Sequence, residues 1–212
     1  MTKPVVRAIP SYAEVVAAAL PVERAEAEER FSAEERFSAE GRRAEWLAWR
    51  SVVRELVCAD GFTTEDFRIV YNECGAPEVR RADNSQILYY IGVSHCRGRV
   101  AVVVSAAPCG VDVEWADRNF ERASSRYIST HERALEQHYP ERMSGAVWCA
   151  KEAVYKYFSA QGVKYPDFLN DIRVVASDLS RGVLRVAVGA DSLVDVRVEW
   201  TSEGLIVASV GV

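Results

Sequence analysis

Cysteine is sparse in this chain and carries no pairing pattern. Cys58, Cys74, Cys96, Cys109 and Cys149 include no CxxC pair, their number is odd, and only three histidines accompany them. That spacing speaks against a disulfide framework or a zinc site and favours reduced cysteines in a cytoplasmic protein. No base is evident beside Cys149, which therefore reads as a packing thiol. Basic surplus is also missing: the formal net charge is -5, so bulk attraction to nucleic acid or an anionic membrane is not expected. No apolar run is long enough to span a bilayer. The N-terminal apolar stretch is broken by Glu14 and followed by acidic residues, unlike a signal peptide. No glycine-rich nucleotide-binding loop is present either.

What is there is an ordinary globular composition, 49% hydrophobic and 27% charged. At 212 residues it allows one large domain or two halves of about 100 residues each. Residues 22–57 read as helix-rich and contain ERFSAE twice in succession, at 29–34 and 35–40. Ser38 and Gly41 suggest a break, after which Arg42 to Val57 forms a patterned helix with Trp46, Trp49, Val53, Leu56 and Val57 on its apolar face. Arg43, Arg50 and Arg54 gather near another side of that helix. After Gly61 the pattern turns to strands: 67–71, a turn at 72–77, an apolar run at 87–93, a hairpin loop at 94–98 and a strand at 99–106. The second half repeats the plan with a strand at 110–115, helices near 119–138 and 141–160, and strands near 171–176, 183–188, 193–200 and 204–210. Helices followed by a strand meander, twice over, predict an α+β protein of two pseudo-repeated halves, 1–106 and 107–212, with a cleft between them.

Two stretches carry chemistry. In Gly110-Val111-Asp112-Val113-Glu114, strand alternation sets Asp112 and Glu114 on one face. In Trp148-Cys149-Ala150-Lys151-Glu152-Ala153-Val154-Tyr155-Lys156, Trp148, Glu152 and Lys156 recur at i, i+4 and i+8 and share one helical stripe. Three carboxylates that can converge, with a lysine one turn beyond, suit a hard divalent cation bound to a phosphorylated substrate.

Together with Ser94-His95 after an apolar strand, these stretches resemble the 4′-phosphopantetheinyl transferase superfamily, in its larger, pseudodimeric Sfp-like branch. The matching motifs are the Ser-His pair, the Gly-Val-Asp-Val-Glu strand and the Trp-x-x-Lys-Glu-Ala-x-x-Lys helix, in that order. Upstream, the arginine-bearing helix from Arg42 to Arg54 and the Gly75-Ala76-Pro77 turn also fit. The resemblance spans residues 40 to 170, and the last 40 residues fit only as generic strands.

It implies a Mg²⁺-dependent enzyme, with Mn²⁺ as a possible substitute. Such an enzyme moves the phosphopantetheine arm of coenzyme A to a serine of an apo acyl or peptidyl carrier protein and releases 3′,5′-ADP. The carrier would belong to fatty-acid, polyketide or nonribosomal peptide synthesis. Asp112, Glu114 and Glu152 become the metal ligands, and Glu152 the favoured general base. Lys156 becomes the pyrophosphate contact, and Lys151 a second phosphate or substrate contact. Ser94 and His95 would meet a phosphate of coenzyme A. Glu132 is a weaker candidate for the metal shell, and Trp148 reads as packing. Ala76 departs from the usual lysine of a Gly-Lys-Pro turn and predicts a weaker grip on coenzyme A. Arg80, Arg81 or the helix arginines could substitute, with Arg43 and Arg50 chosen for that end of the ligand. The carrier domain is small and acidic, so Arg118, Arg122, Arg126 and Arg133 could help dock it. A monomer is expected, with a single site between its halves. The alternatives are a non-catalytic module of the same fold that binds carrier proteins, and a Mg²⁺-dependent phosphohydrolase using the same acidic cluster.

Overall fold

The computed structural model describes residues 3–32, 36–135, 140–164 and 171–212, and for 36–38 and 140–142 the backbone alone. Two five-stranded antiparallel sheets follow one another along the chain. The first contains β1 (Val5–Ala8), β2 (Phe67–Tyr71), β3 (Pro77–Arg81), β4 (Ile87–Cys96) and β5 (Arg99–Ser105), in the order β1-β5-β4-β3-β2. The second contains β6 (Gly110–Trp115), β7 (Ile172–Asp178), β8 (Val183–Val188), β9 (Ser192–Trp200) and β10 (Leu205–Val210), in the order β6-β10-β9-β8-β7. In both sheets the first strand pairs with the last and the others step back in sequence. The protein is thus α+β, with two halves built on one plan.

Among the described residues, five α-helices accompany these sheets: α1 (Tyr12–Ala18), α2 (Pro21–Arg30), α3 (Arg36–Ala59), α4 (Thr130–Ala134) and α5 (Pro140–Ala160). Strand alternation divides the first sheet's side chains between two cores. Val100, Val102 and Val104 pack with Trp49, Val53 and Val57 of α3. Ala101 and Val103 face the other way and join Val111, Val113, Leu205 and Val207 of the second sheet in an apolar seam. On the far side of the second sheet, Val186, Val198 and Ala208 pack with Val147, Ala150 and Val154 of α5. The order is helix, sheet, sheet, helix, and β6 lies where the seam and α5 meet. Gly110 permits that approach, since a Cβ there would stand 2.0 Å from the carbonyl of Ala153 and 2.8 Å from the amide of Tyr157.

Several local expectations are corrected. Helix α3 runs unbroken through Gly41, whose interior cost of about 1 kcal/mol is set against the burial of Ala39, Ala44, Trp46 and Leu47. Ser94, His95 and Cys96 belong to β4, paired with Ala101, Val100 and Arg99. The hairpin needs only the two-residue turn Arg97-Gly98, where glycine takes a positive φ of 70°. The long helix expected at 119–138 is instead a 3-10 turn, Glu121–Arg126, followed by α4. Ser129 restarts the helix through a capping box with Glu132, a signal legible in Ser-Thr-His-Glu. Residues 136–139 of that expectation lie outside the described residues, as does part of the ERFSAE duplication. Strands β1 and β3 were not anticipated.

Candidate active site

A cleft of about 480 Å³ opens between the halves. Alternation along β4 buries Ser94 towards β6 and turns His95 to the other face, near α3. From β6 come Asp112 and Glu114, and from α5 come Trp148, Glu152 and Lys156. The α3 side adds Arg42, Glu45 and Trp46, with Arg30 from α2.

Asp112 is the hub. It is 4% exposed, and its Oδ1 accepts from Ser94 Oγ at 2.7 Å and from Lys156 Nζ at 2.7 Å. Lys156 also donates to the carbonyl of Val111 at 3.1 Å, which fixes the ammonium over β6. Oδ2 of Asp112 is buried without a well-formed hydrogen bond. An unpaired buried carboxylate oxygen is costly to keep and needs a reason.

Glu152, one turn before Lys156, makes no hydrogen bond or ion pair among the described residues. Burial pushes its pKa above the ordinary carboxylate range, the negative charge of Asp112 adds to this, and Lys156 and Arg118 oppose it. Glu114 is turned aside into an ion pair with Arg118. The Arg118 guanidinium lies 5.2 Å from the ring centre of Trp148 and 5.5 Å from that of Phe120. His95 Nδ1 is 3.3 Å from Glu45 Oε2, an ion pair if the ring is protonated.

Not every expected residue reaches the cleft. Lys151 is fully buried on another side of α5, where its Nζ donates to the Tyr127 carbonyl at 2.6 Å and meets Glu132 at 2.9 Å. Its position off the Trp148–Glu152–Lys156 stripe takes it away from the ligand side. Glu132 is engaged by this pair, by the Val174 amide at 2.8 Å and by its own capping box at 2.7 Å, and does not line the cleft. Arg50 is buried between Glu23 and the rings of Trp46 and Trp49, and Arg43 pairs with Glu28 at 3.0 Å. Neither lines the cleft; Arg30 and Arg42 do. Helical spacing alone could not separate Arg42 from Arg43, because the choice depends on how α3 is rotated against β4.

Gly75 and Pro77 reach the cleft, whereas Ala76 lines an adjoining hollow of about 210 Å³ that also touches Lys156. Of the buried thiols, burial raises Cys109 to about 12 and, together with the charge of Asp112, Cys96 to about 11. Cys149 is held well above its ordinary value by burial, by the charge of Asp112 and by its contact with that carboxylate. Burial thus favours the thiol over the thiolate in all three, which suits packing rather than nucleophilic roles.

Among the described residues, no three His, Cys, Asp or Glu side chains stand close enough to form a ready-made metal cage. The donors present nevertheless suit magnesium. This ion keeps waters and substrate oxygens in its shell and asks only one or two carboxylates of the protein. Asp112 Oδ2, a buried oxygen without a well-formed hydrogen bond, fits that demand, with Glu152 and Glu114 lining the same cleft.

Residues 108–208 match the family model of the 4′-phosphopantetheinyl transferase superfamily. That stretch is a phosphopantetheinyl transferase superfamily domain. No curated protein matches the chain. The matched stretch contains β6 to β9, α5 and most of β10, and so contributes Asp112, Glu114, Glu152 and Lys156 to the cleft. The chemistry of that superfamily is phosphopantetheine transfer, which uses coenzyme A and a carrier protein. Ser94, His95 and the α3 wall lie outside the matched stretch, in the half with the same strand order.

Proposed function

We propose that the protein transfers the 4′-phosphopantetheine arm of coenzyme A to a serine of an apo acyl or peptidyl carrier protein. Support comes foremost from one convergence: Asp112, Glu114, Glu152 and Lys156 of the superfamily domain line a single cleft. The repeated strand order favours the larger, two-half Sfp-like branch. On this proposal residues 107–212 supply the reacting groups, and residues 1–106 grip the adenine and 3′-phosphate end. His95, Arg30 and Arg42 are the side chains offered for that end, and Ser94 for orienting Asp112.

Magnesium would be held by Asp112 and Glu152 with Glu114, and when bound it would draw negative charge from the pyrophosphate oxygens. Lys156 offers a compact cation to the same oxygens, already anchored by the Val111 carbonyl. Glu152 takes the proton of the carrier serine from its place in the cleft beside Asp112 and Lys156. The serine oxygen forms a bond to the β-phosphorus while the bond to the departing 3′,5′-ADP breaks. Trp148 shapes the cleft wall, stacked edge-on against Tyr127 at 5.0 Å.

Intact-protein mass spectrometry tests this directly. An apo acyl carrier protein incubated with the protein, coenzyme A and Mg²⁺ should gain the mass of one phosphopantetheine. Asp112→Ala and Glu152→Ala should abolish the gain. No gain with carriers from fatty-acid, polyketide and peptide synthesis would overturn the proposal.

A further inference from the structure

Arg118 is a cation that the chemistry above leaves unused. It follows β6 in a turn whose backbone is fixed by Ala116 N donating to the Gly204 carbonyl at 2.9 Å and by Arg118 N donating to the Trp115 carbonyl at 3.1 Å. From that fixed base the side chain folds back on Glu114 and spreads over Trp148. Its charge is felt at Glu152, whose pKa it helps to lower. The side chain is 44% exposed and that of Glu114 17% exposed, so the pair sits at the cleft rim and can open without unpacking a core.

We propose that Arg118 is a counter-ion latch on Glu114. In the ligand-free protein it neutralises that carboxylate. When the pyrophosphate of coenzyme A enters, the guanidinium passes to a phosphate oxygen and frees Glu114 for the divalent cation. Metal and coenzyme A therefore bind with positive coupling. This rests on the transferase assignment above.

One pattern of contacts and two physical arguments carry it. Lys156 stands to Asp112 as Arg118 stands to Glu114, so two carboxylates of the cleft are each held by a cation of this chain. A guanidinium matches phosphate geometry with two parallel hydrogen bonds, which gives Arg118 a better partner once phosphate arrives. The Trp148 ring is a flat surface along which a guanidinium can shift while keeping its cation–π contact. That gives the tryptophan of the helix a role beyond packing.

The test is Mn²⁺ binding followed by electron paramagnetic resonance, on the full-length protein and on Arg118→Gln and Arg118→Lys, with and without coenzyme A. Releasing a rim ion pair should tighten metal binding to the glutamine variant about 2- to 5-fold without coenzyme A. The factor by which coenzyme A improves metal affinity should shrink to a similar extent, as linkage requires. Arg118→Lys, which keeps the charge, should stay within about twofold of the parent protein. Unchanged or weaker Mn²⁺ binding in Arg118→Gln would overturn the latch, as would a lysine variant that behaves like the glutamine one. Failure of coenzyme A to bind any of the proteins would overturn the transferase assignment, while the metal-only titration still decides the latch.

Discussion

Glu152 combines two properties that usually conflict. It is largely buried, which penalises its charge, yet the proposed chemistry needs it ionised to accept a proton. Glu152→Gln should lower the transfer rate by about 100- to 10,000-fold, the usual contribution of a positioned base. The same substitution should raise the melting temperature at neutral pH. The folded-state pKa is raised above the unfolded value, so the native state binds the proton more tightly. Stability attributable to Glu152 is therefore greatest below the ordinary carboxylate pKa and declines as pH rises through the higher, folded one. The thermal advantage of the glutamine variant should accordingly fade on acidification towards about pH 4. Single-turnover rates, and calorimetry of the metal-free proteins at pH 4 and pH 7, check both expectations.

At the scale of elements, α5 is the beam on which the site hangs, and two features set its position. The first is the buried Lys151–Glu132 pair, which ties α5 to α4 and, through the Val174 amide, to β7. Lys151→Met leaves a carboxylate buried without its cation and should cost about 3–5 kcal/mol. Adding Glu132→Gln should return part of that loss, because a neutral amide keeps an acceptor for the Val174 amide. Urea unfolding of the single and double variants measures the coupling. The second feature is the contact of β6 with α5 at Gly110. Gly110→Ala forces a methyl into the helix backbone, and overpacking of this kind costs about 1–3 kcal/mol. Moving β6 also separates Asp112 from Glu152, so transfer activity should fall even at temperatures where the variant remains folded. An activity assay well below its melting point separates the two effects.

Across the whole molecule, the cleft exists only because two sheets share a seam. Val103 of the first sheet meets Val111, Val113 and Val207 of the second, and polar ties reinforce the join. Asn72, just after β2, donates from Nδ2 to the Ser159 carbonyl at the end of α5 at 2.9 Å. Its Oδ1 accepts from the amides of Cys74 and Ala76 at 2.9 and 3.0 Å, which shapes the Gly75-Ala76-Pro77 turn beside the cleft. Asn72→Ala should cost about 1–3 kcal/mol. It should also weaken coenzyme A binding more than it slows the chemical step, since it loosens the wall of the first half and leaves β6 and α5 intact. Titration calorimetry with coenzyme A, read beside single-turnover rates, would reveal that split.

Local pattern was enough to determine the period of β6, the stripe of α5 and hence the grouping of Asp112, Glu114, Glu152 and Lys156. These depend on neighbours within two turns of one element, where backbone geometry dictates which side chains share a face. The repeat of a helix-then-meander plan was legible for the same reason. The loop expected at 94–98 shrinks to Arg97-Gly98, because a two-residue turn with a left-handed glycine leaves little trace in the sequence beyond that pair itself. Lys151 and Arg50 were misplaced because composition does not reveal whether a long cationic side chain reaches solvent or a buried carboxylate; their partners, Glu132 and Glu23, lie 19 and 27 residues away. Only the tertiary structure decided that Arg30 and Arg42, not Arg43 and Arg50, face the cleft. It likewise decided that Arg118 covers Glu114 and that one buried oxygen of Asp112 lacks a well-formed hydrogen bond. Those outcomes depend on how the helices are rotated and set against two sheets. That setting is governed by the summed packing of three apolar cores, which no single stretch of sequence contains.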